Sequence, residues 1–300
     1  MPTTISVYPD VRDHPERAVA LETTLLLHGV PREAALGLAD ELDALVRSHG
    51  AIPATVGVVS GVPTVGLTRD QLEEVLASQD RGPVAKANTA NLGVLMHRGT
   101  HGATTVSATM ELAHGAGVRV FATGGIGGVH AGYARRLDVS SDLGALARFP
   151  VAVVASGVKS ILDVESTREA LETLGVPVVG YRTDRFPAFY QRESGAGVDA
   201  RFDDEEELAD FVRFELARTG RGLLIANPVP PEHHIEASEF DRWRLESERI
   251  VAAHGARGRD VTPAALGALH EISGGRTLES NLALVRSNAD LASRLQKPRF

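Results

Sequence analysis

Two short apolar runs, each ending in a glycine-loosened loop, constrain this chain more than any other feature. Val118-Arg-Val-Phe-Ala-Thr123 passes into Gly124-Gly-Ile-Gly-Gly-Val-His130-Ala-Gly132, and Val151-Ala-Val-Val-Ala-Ser156 ends at Gly157-Val-Lys159-Ser160. Runs this short, rich in β-branched residues and bounded by glycine, read as strands buried on both faces. In open α/β sheets ligands bind beyond the carboxyl ends of such strands. The alternation continues, with strands predicted at 118–123, 151–156, 176–181 and 222–227 and helices at 160–174 and 204–219. The acids Asp203–Glu207 suit the first turn of the second helix. Upstream, Val19–Leu27 reads as a strand interrupted by Glu22, Arg32–Ser48 as a helix, Pro53–Val59 and Pro63–Leu67 as a hairpin, and Thr104–His114 as a helix. Thr68-Arg-Asp-Gln71 has the spacing of a capping box opening a helix through Ser78. Past Pro228-Val-Pro-Pro231 the pattern is helical, at about 232–254, 262–273 and 277–295. No linker or repeat divides the chain, so residues 1–300 read as one α/β layered domain, with 1–16 as an N-terminal arm.

The formal charge of −8 disfavours nucleic-acid polymers and anionic membranes as partners. With no cysteine, disulfides, thiolate metal sites and thiol nucleophiles are excluded. No apolar run approaches a membrane span, and Met1–Arg17 lacks the apolar core of a secretory signal. A soluble, cytoplasmic protein is expected.

Several residues invite chemistry. Lys159, at the end of a buried strand and ahead of an expected helix start, is a candidate anion anchor or amine nucleophile, with a plain surface lysine as the alternative. Glu22 stands in an apolar stretch. A buried carboxylate needs a partner or a raised pKa, and the latter suits proton transfer; an edge-strand polar residue is the alternative. The Gly124–Gly132 loop permits backbone N–H groups to approach an oxyanion, or it is a tight packed turn. It is not the dinucleotide fingerprint, because His130 takes the third glycine's place, and no Walker loop precedes Lys159. Asp138 and Asp142, bracketing Ser140 and Ser141, could offer oxygens to a hard cation, or could be turn and cap residues. His97, His101, His233 and His234 read as surface histidines. Lys86, Asn88 and Asn91 form a polar segment that is mute by itself.

Taken in order, the chain resembles the pseudouridine-5′-phosphate glycosidase family from about Val19 to Ala292. The motifs are Ala20-Leu-Glu22-Thr-Thr, His28-Gly29, Gly50-Ala-Ile-Pro-Ala-Thr55, Gly102-Ala-Thr-Thr-Val106, Val120-Phe-Ala-Thr-Gly-Gly-Ile-Gly-Gly-Val-His130, Asp138-Val-Ser-Ser-Asp142, Gly157-Val-Lys159-Ser-Ile-Leu-Asp163, Gly175-Val-Pro-Val-Val-Gly-Tyr181, Ala226-Asn-Pro-Val-Pro230 and Ser280-Asn281. The resemblance implies an α/β/α layered core with a mixed sheet and C-terminal helices, assembled as a homotrimer. It implies reversible cleavage of the C–C glycosidic bond of pseudouridine 5′-phosphate to uracil and ribose 5-phosphate, a glycosidase by reaction and a carbon–oxygen lyase by convention. On the matching positions, Lys159 becomes the nucleophile that forms a Schiff base with the opened ribose, and Glu22 the proton donor and acceptor. Lys86, Val106, His130, Ser140, Ser141, Asp142 and Asn281 become substrate-binding, with Lys86 and the serines near phosphate and Asn281 near the base. Asp138 carries a manganese ion, Mn2+, largely through water. The chemistry is coherent: a C-glycoside has no exocyclic oxygen to protonate, so the two-carboxylate route of ordinary glycosidases fails, whereas an amine at C1′ supplies an electron sink. Thr23 and the segment Asn88–His101 depart from the commoner family pattern. A lysine-dependent aldolase or lyase on another sugar phosphate, a non-catalytic sugar-phosphate sensor and, more remotely, an NAD-dependent oxidoreductase are the alternatives.

Overall fold

The structure, a computed structural model, describes residues 4–133, 137–253 and 261–296. Its strands are β1 (Ser6–Val7), β2 (Ala18–Glu22), β3 (Ile52–Val59), β4 (Val62–Val65), β5 (Ala85–Ala87), β6 (Gly102–Thr104), β7 (Val120–Ala122), β8 (Ala152–Ala155), β9 (Val178–Tyr181), β10 (Ala200–Phe202) and β11 (Leu223–Ala226). Its helices are α1 (Pro9–Asp13), α2 (Arg32–Ser48), α3 (Arg69–Ser78), α4 (Leu92–Arg98), α5 (Val106–Gly115), α6 (Ser141–Arg148), α7 (Val164–Thr173), α8 (Glu205–Thr219), α9 (Ala237–Ala253), α10 (Val261–Ile272) and α11 (Arg276–Leu295).

One mixed sheet runs β1-β4-β3-β2-β7-β8-β11-β9-β10, with β6 against β3 and β5 against β6. β3 is antiparallel to β4 and β6, whereas β2, β7, β8, β11, β9 and β10 run parallel. The continuous apolar runs follow from burial on both faces. In β8, Ala152 and Val154 enter one core while Val153 and Ala155 enter the other, and β11 divides likewise. Leu38 and Leu42 of α2, Leu208 of α8 and Leu284 of α11 cover the first face; Met110 of α5, Leu143 of α6 and Leu171 of α7 cover the second. The result is the α/β/α layering expected, in a single domain.

Local signals fared well where chemistry is local. The hairpin forms as β3 and β4, and Thr68 and Gln71 cap α3 reciprocally. Residues ahead of β2 carry structure as well: β1 pairs with β4, and Val11 of α1 is buried.

Two expectations need correction. The strand read as Val19–Leu27 stops at Glu22, and Leu25–Gly29 forms a wide π-type turn. The reason lies in Thr23 and Thr24, whose hydroxyls donate to the carbonyls of Val56 (2.9 Å) and Thr104 (2.8 Å) and so bend the chain out of the sheet. The helix read as 160–174 begins only at Val164. Asp163 is its cap, accepting from the Ser166 N–H at 2.9 Å. Lys159 therefore precedes the cap and is not on the first helical turn.

The order of the strands decides where a ligand can sit. From β2 the chain moves out to β3 and β4 on one side, then returns to lay β7 on the other side of β2. The crevice between the carboxyl ends of β2 and β7 is the topological switch point, where open sheets bind ligands.

Candidate active site

Glu22 is the last residue of β2. Because Leu21 pairs with Ala122 in the parallel register, Glu22 meets Thr123 immediately beyond β7, and the Thr123 hydroxyl donates to its Oε1. The side chain is only 7 % exposed. Burial pushes its pKa up and the Asp142 carboxylate pushes the same way, while Lys159, the Thr123 hydroxyl and Lys86 pull it down; burial prevails. The carboxyl is thus poised to hold a proton that an exposed glutamate would have lost.

Lys159 arrives from β8 through a loop laced to the glycine loop after β7. Ser156 N–H donates to Gly124 O (2.9 Å), Ile126 N–H to Gly157 O (3.0 Å), Lys159 N–H to Ile126 O (3.1 Å) and Asp163 N–H to Val129 O (2.9 Å). The lacing depends on Gly157, which has φ +76° and sits against the Pro187 carbonyl. A Cβ there would lie 1.7 Å from that oxygen. The glycine loop is a packed turn more than an oxyanion cradle. Protein oxygens accept from the N–H groups of Ile126, Gly127, Val129 and His130.

Glu22, Lys86, Lys159 and Asn281 line one cleft of about 300 Å³, together with His28 and the aromatic pair Phe189 and Tyr190. These rings meet edge to face at 4.8 Å. Phe189 holds φ +62°, a left-handed conformation unusual for a bulky residue and worth noting at a binding site. Lys86 comes from β5, where Asn91 donates to its carbonyl at 2.9 Å and Asn88 and Asn91 close a turn on each other's main chain. That gives the polar segment its meaning: it aims a lysine. Burial and the nearby Lys159 hold the Lys86 pKa below its ordinary value, with Glu22 opposing.

The other expected residues divide into two groups. Thr105 hydroxyl donates to Ala87 O (3.0 Å) and meets Ser107 Oγ (3.1 Å), which meets Ser141 Oγ (2.9 Å). This hydroxyl ladder connects the Lys86 strand to the start of α6 and passes Val106, whose side chain is core. Asp142, 4 % exposed, accepts from Ser107 N–H at 2.9 Å and from Gly127 N–H at 2.8 Å. Its carboxylate ties the glycine loop to α5. A Cβ on residue 127 would come within 2.8 Å of that carboxylate and 2.3 Å of Ser140 Oγ, so glycine is required there. His130, Asp138 and Ser140 lie on an adjoining segment, joined where Val129 pairs with Val139, and are not among the residues that line the cleft. Ser140 caps α6 and faces a second, wider depression.

Among the described residues no three His, Cys, Asp or Glu side chains gather as a metal cage. Asp138 is exposed, so a cation there would rest on one carboxylate and water, a donor set suited to a hard ion such as manganese or magnesium. His97 is exposed, and His101 accepts from Ser60 N–H and faces Glu74. His233 and His234 pair with Glu279 and Glu236.

Three participants escaped the sequence. His28 matches a family motif but carried no assigned role. His270 lines the cleft with its pKa lowered by burial. Asn288, fully buried on α11, donates to the Thr123 carbonyl at 2.7 Å and accepts from Asn227 at 2.9 Å, pinning both loops. No local pattern marks a polar residue whose partners lie more than 60 positions away.

A family profile described as "Indigoidine synthase A like protein" matches residues 10–297. A protein of Symbiobacterium thermophilum named pseudouridine-5′-phosphate glycosidase is 45 % identical over 294 residues, covering 95 % of this chain and 94 % of its own. The chain belongs to this family. It is therefore an enzyme of the pseudouridine-5′-phosphate glycosidase, or indigoidine synthase A-like, family. A second glycosidase of that name, from Methylobacterium nodulans, is 47 % identical over 291 residues, 96 % of this chain and 86 % of its own. Among solved structures, the indigoidine synthase A-like protein of Thermotoga maritima superposes with TM-score 0.86 at 36 % identity, covering 98 % and 96 % of the two chains. The prealnumycin C-glycosynthase AlnA, solved with ribulose 5-phosphate, gives TM-score 0.88 at 33 % identity, covering 99 % and 97 %. No described helix is long and apolar enough to cross a membrane.

Proposed function

We propose that this family member reversibly cleaves the C–C glycosidic bond of pseudouridine 5′-phosphate to uracil and ribose 5-phosphate. The supporting observation is that an amine, Lys159, and a buried carboxyl of raised pKa, Glu22, share one cleft at the switch point of the sheet. The names of the relatives, and the sugar phosphate bound to AlnA, agree with that reading.

The chemistry balances as follows. Lys159 Nζ bonds to C1′ as the C1′–O4′ bond breaks, and a proton passes from nitrogen to O4′, opening the sugar. Glu22 delivers a proton to C5 of the base. The nitrogen lone pair then forms a C1′=N double bond while the C1′–C5 bond breaks, its electron pair restoring the C5=C6 double bond of uracil. Water adds to C1′ and the amine leaves, giving ribose 5-phosphate. Each proton transfer of this kind contributes about 10²- to 10⁴-fold when well placed. Lys86 and the hydroxyl ladder ending at Ser141 supply a cation and donors for the phosphate, with Ser140 and His130 at its outer side. Asp138 would hold a manganese ion, which supplies further positive charge there. The homotrimer is carried over from the family resemblance, and exposed Tyr133, Leu137 and Val139 beside that segment offer apolar surface for a contact between copies.

The test is incubation with pseudouridine 5′-phosphate and manganese, following free uracil by chromatography, and borohydride treatment with ribose 5-phosphate followed by peptide mass spectrometry. Uracil release and a reduced adduct on Lys159 are expected, both lost in Lys159→Ala. Turnover by that variant near the parental rate rules out the Schiff base, and trapping elsewhere reassigns the amine.

A further inference from the structure

Thr123, Ser156 and Asn227 are the first residues beyond the carboxyl ends of β7, β8 and β11, three neighbours in the sheet. A buried residue that has left the strand ladder needs new partners for its polar groups. One side chain serves all three. Asn288 of α11, fully buried, donates from Nδ2 to Thr123 O at 2.7 Å and to Ser156 Oγ at 3.2 Å, and its Oδ1 accepts from Asn227 Nδ2 at 2.9 Å. Ser156 Oγ passes its own hydrogen to Asn227 O at 2.8 Å, and Asn227 Nδ2 also donates to Ser287 Oγ at 3.0 Å. Turned over, the Asn288 amide would set an oxygen against the Thr123 carbonyl, so its orientation is fixed. No side-chain polar atom of these four residues is buried without a partner.

Two of the anchor points lead to the reacting groups. The Thr123 hydroxyl is the one hydrogen-bond partner of the Glu22 carboxyl among the described residues. Ser156 stands directly before Gly157, from which the chain runs to Lys159. The reaction asks the amine to bond C1′ and the acid to protonate C5, and these two atoms are bonded to each other. The spacing of amine and acid therefore has little tolerance: a misplacement of about 1 Å costs on the order of a hundredfold in rate.

We propose that Asn288 is a positioning residue: by holding Thr123 and Ser156 on one amide, it sets the Glu22 carboxyl and the Lys159 amine at the spacing that two bonded atoms require. It touches no reacting group itself and acts through Thr123 and Ser156. This rests on the reaction proposed above.

The experiment follows uracil release from pseudouridine 5′-phosphate. Asn288→Ala should lower kcat on the order of tenfold to a hundredfold and leave KM within about twofold, the split expected when only transition-state alignment is lost. Borohydride trapping of ribose 5-phosphate at Lys159 needs the amine and not the acid, so it should persist in the variant. Thr123→Val should also lower kcat, and joining it to Asn288→Ala should cost less than the product of the two single losses, because both act on one carboxyl. Asn227→Ala removes a partner of Asn288 but leaves the Thr123 bond, so it should lose comparable stability in urea and distinctly less kcat. Should Asn288→Ala fail to fold, Asn288→Asp, of the same shape and with the acceptor kept, takes its place in every measurement. A folded Asn288 variant with parental kcat overturns the proposal. So do losses that multiply in the double variant, or an Asn227→Ala enzyme as slow as Asn288→Ala at equal stability. A parent enzyme that releases no uracil removes the reaction and this inference together, whereas any of the preceding results in a parent that turns over removes this inference alone.

Discussion

Asp142 tests whether a residue expected to hold substrate is first of all a structural clamp. Its carboxylate accepts from the N–H groups of Ser107 and Gly127 and is 4 % exposed. Asp142→Ala leaves both donors buried with no acceptor. Each such group costs about 1–3 kcal/mol, so the variant should lose about 2–6 kcal/mol, toward the upper half because the acceptor is charged. For a chain of this length about 2 °C accompanies each kcal/mol, which puts the thermal midpoint roughly 4–12 °C lower. Asp142→Asn keeps one acceptor and turns an NH2 against the other donor, so it should fall between parent and Ala. The assay is urea denaturation followed by circular dichroism, without substrate, alongside differential scanning calorimetry. An Ala variant within about 0.5 kcal/mol of the parent, the range of an ordinary surface change, refutes the clamp and returns Asp142 to a ligand-only role.

Glu22→Gln should cost about 10²- to 10⁴-fold in turnover with the fold intact, read as uracil release. Its effect on stability has a definite sign. Because the folded carboxyl titrates above its ordinary 4.5, its contribution to stability is complete below that value and is lost as pH rises through the folded pKa. The Gln variant should therefore gain on the parent in urea midpoint as pH is raised through that window; a constant difference removes the raised pKa. Asp138→Ala should blunt the response of turnover to added manganese and to chelator, and an unaltered response in both rejects Asp138 as the metal carrier.

The sheet was legible because its signal is local. Val151–Ser156 is an apolar run that glycine terminates, and burial on both faces leaves it no other reading. Helix α2 declares itself by period, and α3 by Thr68 and Gln71. Where the reading slipped, a side chain reached far along the sequence. Thr23 and Thr24 end β2 by bonding to residues 33 and 80 positions away, and nothing within Val19–Leu27 announces it. The helix after Lys159 starts late because its preceding residues are spent on the glycine loop. Lys159 and Glu22 could be named from their burial context and the family resemblance. That Thr123 links the two strands at Glu22 is a matter of register that no window of sequence contains.

Asn288 has a consequence for how activity is acquired. Both loops beyond β7 and β8 are fastened by one amide near the far end of the chain, on a helix that also brings Asn281. The chain therefore carries Glu22, Lys86 and Lys159 well ahead of the helix whose amide holds Thr123 and Ser156. A polypeptide cut before Arg276 should keep those three side chains and lose the contacts that fix the loop bearing Lys159 and the threonine bonded to Glu22.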